Sequence, residues 1–173
     1  MSTFDERADQ ALEPLRNNRR MNSLFGFASA IGDFSLVWHL IGLIYAIGSV
    51  HRLQQALALS LALGAESLIV NQGVKRLFRR ERPTTSGDDR FDIRTPSTSS
   101  FPSGHASSAT FAAIVLTSFT GFPLVIIWVV VACVVALSRV VVRIHHLSDI
   151  VGGIVTGAIL GAIAVPIVSS FLS

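Results

Sequence analysis

Between Arg94 and Arg139 the chain carries no Asp, Glu, Lys or Arg, and after Asp149 none follows as far as Ser173. Uncharged runs of this kind approach the ~20 apolar residues that a helix needs to cross a bilayer. Composition points the same way. Of the 173 residues 50% are apolar and 14% charged, and mean hydropathy is +0.58, whereas soluble domains carry about 25% charged residues. Thr120-Gly121-Phe122-Pro123 breaks the first run in two, which predicts spans near 105–119 and 124–137 joined by a tight turn. The tail gives a third near 150–168, and 34–50 and 53–74 give two more. The expected fold is therefore all-α: a polytopic transmembrane bundle of about five spans preceded by an N-terminal amphipathic helix.

Smaller features refine this reading. Residues 23–32 are too short to span, and either lie in the interface or lengthen the first span. The charged lead-in before them has no early basic region and no apolar core, so it is not expected to be a cleavable signal. Gly153, Gly157 and Gly161 recur every four residues and bare one face of the last span for a close helix contact, within the chain or in a homodimer. Pro166 is expected to kink or end that helix. Cys133, the one cysteine, excludes a disulfide framework and a cysteine-based zinc site, and reads as a packing residue. The net charge of +3 does not point to nucleic acid, because the basic residues follow no soluble face.

Polar residues concentrate in three short segments at predicted membrane boundaries: 75–83, 102–105 and 138–149. The first ends the second span, the next begins the third, and the last joins the fourth to the fifth, so all three face one side. Charges so near a bilayer are costly unless they act on something, which makes a shared polar site the working hypothesis. Lys75, Arg82 and Arg139 supply three positive charges, and a guanidinium grips an oxyanion through paired N–H donors. Ser103 can cap the third span while backbone amides there point at an anion, and Gly104 clears the approach. His145 and Asp149, four residues apart, place a carboxylate where it fixes the ring's tautomer, which suits a nucleophile. His105, from another helix, can protonate a departing alkoxide. No metal and no cofactor is needed for this chemistry.

These residues, written Lys75-x6-Arg82-Pro83, Pro102-Ser103-Gly104-His105 and Ser138-Arg139-x5-His145-x3-Asp149, resemble the three-part signature of the type 2 phosphatidic acid phosphatase (PAP2) superfamily. All three parts are complete and in order over roughly residues 70–155. The resemblance implies a helical membrane core and phosphate ester hydrolysis through a phosphohistidine. His145 would be the nucleophile, Asp149 its orienting partner and His105 the acid for the leaving group. Lys75, Arg82, Ser103, Gly104 and Arg139 would bind the phosphoryl oxygens.

Other polar residues read more plainly. Asp88, Asp89 and Asp92 look like a solvated loop rather than a metal site. His146 and Arg143 are expected to be structural or to touch substrate, and Glu66 and Asn71, inside the second span, either pair internally or meet a headgroup. Asp33 and His39 read as structural, and Arg76, Arg79 and Arg80 as interfacial anchors.

Of the fourteen basic residues, four lie in the lead-in, seven from Lys75 to Arg94 and two at Arg139 and Arg143, with Arg52 alone on the other side. The positive-inside rule then puts the site in the cytoplasm. Residues 1–23 become a cytoplasmic amphipathic lead-in, and residues 24–173 one transmembrane catalytic domain in the cell membrane. The partners implied are the membrane and a lipid phosphate. Short length and an inward site resemble the small actinobacterial members that remove the 5-phosphate from decaprenylphosphoryl-phosphoribose for cell-wall arabinan precursors. Undecaprenyl diphosphate, phosphatidylglycerol phosphate and phosphatidic acid are alternative substrates; a vanadium haloperoxidase and a non-catalytic membrane scaffold are alternatives of another class.

Overall fold

The computed structural model describes residues 2–84, 90–91 and 98–172, and all regular structure among them is helical. The aspartates Asp88, Asp89 and Asp92 lie outside the described residues. Helix α1 (Thr3–Arg16) opens at Ser2, whose side chain accepts from the Asp5 N–H; Asp5 and Glu6 occupy its first turn and Arg16 its last, the charge order that a helix dipole favours. Helix α2 (Arg19–Gly32), capped by Asn18, is followed by a single 3-10 turn at Asp33–Ser35 and by α3 (Leu36–Ala46). Next come α4 (Val50–Leu68), a π-helical turn (Ile69–Val74), the short α5 (Lys75–Leu77), α6 (Gly104–Thr120), α7 (Val125–Val141) and α8 (Leu147–Leu172).

Three helical stretches, Arg19–Ala46, Val50–Leu77 and Leu147–Leu172, are long and apolar enough to cross a membrane, and α7 is a shorter apolar helix. The five expected spans map onto these three and onto α6 and α7, of 17 residues each. Residues 23–32 continue the first helical stretch rather than standing apart. Helix α8 runs through Pro166 to Leu172 instead of ending there; a proline removes one donor, which a spanning helix tolerates.

The core lies where α3, α4, α6 and α7 meet, around Trp38, Leu59, Leu63, Phe111, Leu116 and Val135. Outward positions stay apolar, among them Leu43, Ile44, Leu61, Val130, Ile159 and Ile163, as lipid-facing surface requires. Cys133 is exposed there, not packed inside as expected. The glycine face of α8 is filled by α6. A Cβ on Gly153 would meet Ala106 at 2.9 Å, one on Gly157 would run into the Ser107 carbonyl, and one on Gly161 would touch Ile114 at 3.2 Å. The glycines thus serve an internal contact, and a homodimer would have to use another surface.

The lead-in is helical as expected but does not stand outside the bundle. Arg16, fully buried, donates to the carbonyls of Val141 at 2.9 Å and Val140 at 3.1 Å. These belong to the last turn of α7, where carbonyls lack helical partners and a cation is favoured. Arg143, just beyond, pairs with Asp9 at 2.6 Å. These contacts seat α1 at the end of the bundle where the three polar segments meet.

Candidate active site

The site residues sit where a helix starts, ends or widens, except Arg82, which lies in the segment that follows α5. Glu66, Asn71 and Lys75 all line one cavity. The step of five from Glu66 to Asn71 is too long for one turn of α-helix, and the intervening π-helical turn lets both face the same way. Ser103 begins α6, its hydroxyl accepting from the Ala106 N–H at 3.4 Å. Arg139 ends α7, and its backbone carbonyl accepts from the N–H groups of Ile144 and His145, each at 3.1 Å. The tight return this makes, with Arg143 at φ 58°, turns the His145 ring inward just before α8.

His145 is almost wholly enclosed. Its Nδ1 lies 3.5 Å from Asp149 Oδ2 and 3.3 Å from Ser100 Oγ, while Nε2 lies 3.3 Å from Arg82 Nη1. A guanidinium can only donate, so Nε2 is the bare nitrogen and Nδ1 carries the proton. Burial, reinforced by the nearby Arg82 and Arg139 charges and opposed by Asp149, holds the imidazole well below the usual histidine range. It is therefore neutral at physiological pH, with a lone pair available on Nε2. Arg82 is itself fixed by the carbonyls of Ile144 at 3.1 Å and Thr98 at 3.0 Å, and burial draws its pKa down from the ordinary arginine value.

The cavity in front of His145 has a volume of about 270 Å³ and is lined also by Lys75, Gly104, His105 and Arg139. A Cβ on Gly104 would stand 3.4 Å from Asn71 Oδ1 and 3.5 Å from Lys75 Nζ, so the glycine leaves the cavity open beside these polar atoms. His105 Nε2 faces Asp33 Oδ1 at 3.0 Å, and Arg139 Nη1 is bonded to Ser29 Oγ and lies 4.0 Å from Asp33 Oδ1. The remaining wall is polar: Glu66, which accepts from Ser107 Oγ, with Ser67, Asn71 and Ser108. Among the described residues no three His, Cys, Asp or Glu side chains converge to hold a metal ion; the positive charge comes from Lys75, Arg82 and Arg139.

All eight residues singled out from the sequence come to one end of the bundle. Lys75, Gly104, His105, Arg139 and His145 line the cavity, Arg82 touches His145 Nε2, and Asp149 stands behind the ring. Ser103 is fully buried behind the wall and caps α6.

Three residues were missed or misread. Asp33, expected to be structural, is the carboxylate facing His105. Ser100, not singled out, donates to Asp149 Oδ2 at 2.5 Å. Arg80, expected to anchor at the interface, instead bonds Asp149 Oδ1 and Asp5 Oδ2, each at 2.7 Å. Ser100 sits two residues before the Pro-Ser-Gly-His run, and that closeness was its one signal; the folds of the chain that bring Asp33 and Arg80 in leave none. His39 is structural as expected, joining α3 to α4 through Ser60 Oγ at 2.9 Å.

A family model for the PAP2 superfamily matches residues 55–172. A decaprenylphosphoryl-5-phosphoribose phosphatase of Mycobacterium tuberculosis is 37% identical over 136 residues, covering 78% of this chain and 73% of the relative. The protein of that name from Mycolicibacterium smegmatis is 41% identical over 96 residues, 54% of this chain and 51% of the relative. In fold, the chain resembles a transmembrane PAP2-type phosphatidylglycerolphosphate phosphatase from Bacillus subtilis, with a TM-score of 0.65 at 24% identity over 98% of this chain and 87% of that one. It also resembles Aquifex aeolicus LpxE, with a TM-score of 0.70 at 22% identity over 91% and 93%. The matched residues take in all three polar segments converging on His145, and the chain belongs to the PAP2 superfamily.

Proposed function

We propose that this membrane phosphatase removes the 5-phosphate from decaprenylphosphoryl-5-phosphoribose, on the cytoplasmic side of the cell membrane, through a phosphohistidine and without a metal. The observation that carries the chemistry is His145: neutral, its Nδ1 turned to Asp149 and its Nε2 turned to Arg82 at the mouth of a cavity lined with cations. Nε2 attacks phosphorus, the P–O ester bond breaks, and the leaving alkoxide takes a proton from His105. Lys75, Arg82 and Arg139 meet the charge that spreads over the phosphoryl oxygens, which is the main task in phosphoryl transfer. Water, deprotonated by His105, then attacks phosphorus, the N–P bond breaks and inorganic phosphate leaves.

The substrate is supported by the two mycobacterial relatives, and the polar wall of Glu66, Ser67, Asn71 and Ser108 offers partners to a hydroxylated headgroup. The cytoplasmic orientation is supported by the basic residues crowded at the site end, to which α1 adds its own. Residues 1–23 act with the domain formed by 24–173 rather than as a free tail.

The test is phosphate release by detergent-purified protein in EDTA from decaprenylphosphoryl-5-phosphoribose, undecaprenyl diphosphate and phosphatidic acid side by side, with His145→Ala as control. Preference for the phosphoribosyl lipid, abolished in the variant, is expected. Preference for the diphosphate would overturn the substrate, dependence on added magnesium would overturn the metal-free chemistry, and an N-terminal reporter reading outside the cytoplasm would overturn the orientation.

A further inference from the structure

Arg80 is one of the six unspecified positions between Lys75 and Arg82 in the family signature, yet it holds the carboxylate behind the nucleophile. Its Nη1 donates to Asp149 Oδ1 and to Ser148 Oγ, each at 2.7 Å, and its Nη2 donates to Asp5 Oδ2 at 2.7 Å. Asp5 is buried; its Oδ2 also accepts from the hydroxyls of Ser148 at 2.9 Å and Ser2 at 2.8 Å, and its Oδ1 accepts from the Ser148 N–H at 3.0 Å. A line of alternating charge thus runs from the first turn of α1 to the nucleophile: Asp5, Arg80, Asp149, His145.

Charge decides what this line does. The imidazole becomes cationic as Nε2 bonds phosphorus, so Asp149 must keep its negative charge and its aim at Nδ1. Arg80 by itself would cancel that charge, in surroundings to which Arg82 and Arg139 already add positive charge. Asp5 gives Arg80 a second anion, so the three groups together retain one net negative charge next to the ring, and beside the buried Asp149 and His145 such a difference acts more strongly than it would in water. We propose that Asp5 and Arg80 are positioning residues for the His145–Asp149 pair, so that α1, which precedes the family-matched residues 55–172, completes the active site. This rests on the reading of His145 as nucleophile.

The experiment compares kcat and KM of full-length Asp5→Asn, Asp5→Glu, Arg80→Gln and Asp9→Asn with the unaltered chain, on decaprenylphosphoryl-5-phosphoribose and on phosphatidic acid. Asp5→Asn and Arg80→Gln each lower kcat about tenfold, the scale of a small misplacement in a reacting pair, with KM within about twofold. Asp5→Glu recovers most of the loss. Asp9→Asn breaks pairs with Arg16 and Arg143 but leaves Arg16 on α7, and stays within about twofold. In an Asp149→Asn background the Asp5 change costs nothing further, and the ¹⁵N shifts of His145 move in Asp5→Asn but not in Asp9→Asn.

Two variants probe the link from its two ends, so a failure of one to fold leaves the other. Unchanged kcat in the folded variants, a loss confined to KM, or an equal loss in Asp9→Asn would overturn the proposal. His145→Ala at full rate would instead sink the nucleophile reading, whereas a dead His145→Ala beside an unaffected Asp5→Asn sinks only the role of α1.

Discussion

Two histidine–carboxylate pairs face one cavity, and they are built differently. His145 and Asp149 lie four residues apart at the start of one helix, and the carboxylate is wholly enclosed, held by Arg80, Ser100 and the His146 N–H at 2.9 Å. His105 and Asp33 come from separate helices, and the Asp33 side chain is 34% exposed. It sits on a turn whose next two residues, Phe34 and Ser35, take φ of 53° and 59°, a backbone that non-glycine residues adopt only when their surroundings impose it. The difference matches the two tasks that the proposed mechanism gives the pairs. A nucleophile needs one ring orientation and one tautomer throughout the reaction; an acid that hands over a proton and takes one back works beside a carboxylate that is closer but less confined.

If the braced pair carries the larger share of catalysis, substitutions in the two pairs should differ sharply. Asp149→Asn removes the acceptor that holds Nδ1–H and should lower kcat by about 10³- to 10⁴-fold, as a wrong tautomer does in other histidine–carboxylate pairs. Asp33→Asn should cost about tenfold to 100-fold, less than the ~100- to 10,000-fold of full general acid–base assistance, because the His105 ring itself remains. Phosphate release at saturating lipid, with both variants eluting as folded protein, reads the ratio directly. Equal losses would mean that bracing does not distinguish the pairs.

Gly32→Ala sharpens the comparison from the other side. A Cβ there would come within 2.7 Å of His105 Cδ2 and 3.1 Å of Val135 Cγ1, so the His105 ring must shift while His145 is untouched. A loss in kcat of about tenfold is expected. Trapping the phosphoenzyme separates its causes: slowed formation on a poor leaving group, with formation on an activated phenyl phosphate unaffected, is the signature of a displaced acid. A matching loss on the phenyl ester would place the damage elsewhere.

The spans were legible because charge is so costly in a bilayer that its absence marks them, and the three motif segments because they hold polar residues at those margins. Span ends were less so: α8 begins at Leu147 and runs to Leu172, since Ser148 and Asp149 are helical without being apolar. The His145–Asp149 pair was legible because its members lie only four residues apart, across the first turn of α8. Asp33 and Arg80 act across the fold, and pairing between distant segments leaves no periodicity in sequence. The amphipathic lead-in shows the same limit: its helical pattern was readable, but its docking through Arg16 onto α7 carbonyls was not.

The smallest expected effect concerns the braced pair, which α1 reaches through Arg80 and Ser148. Burial works to raise the Asp5 carboxyl, but hydrogen bonds from the Ser148 N–H and hydroxyl, Ser2 and Arg80 outweigh it and bring the pKa from 3.8 down to about 2. Asp9 is lowered too, burial again opposing while Arg143 and Arg16 prevail. A depressed carboxyl adds stability that is fully present above its unfolded value and is lost as pH falls through its folded one. Docking of α1 should therefore be constant down to about pH 4 and weaken toward pH 2. Hydrogen-exchange protection of the α1 amides, corrected for intrinsic rates, measures it. In Asp5→Asn the protection should start lower and fall less with acid, and a wild-type profile without any fall would show that these carboxylates do not hold the helix.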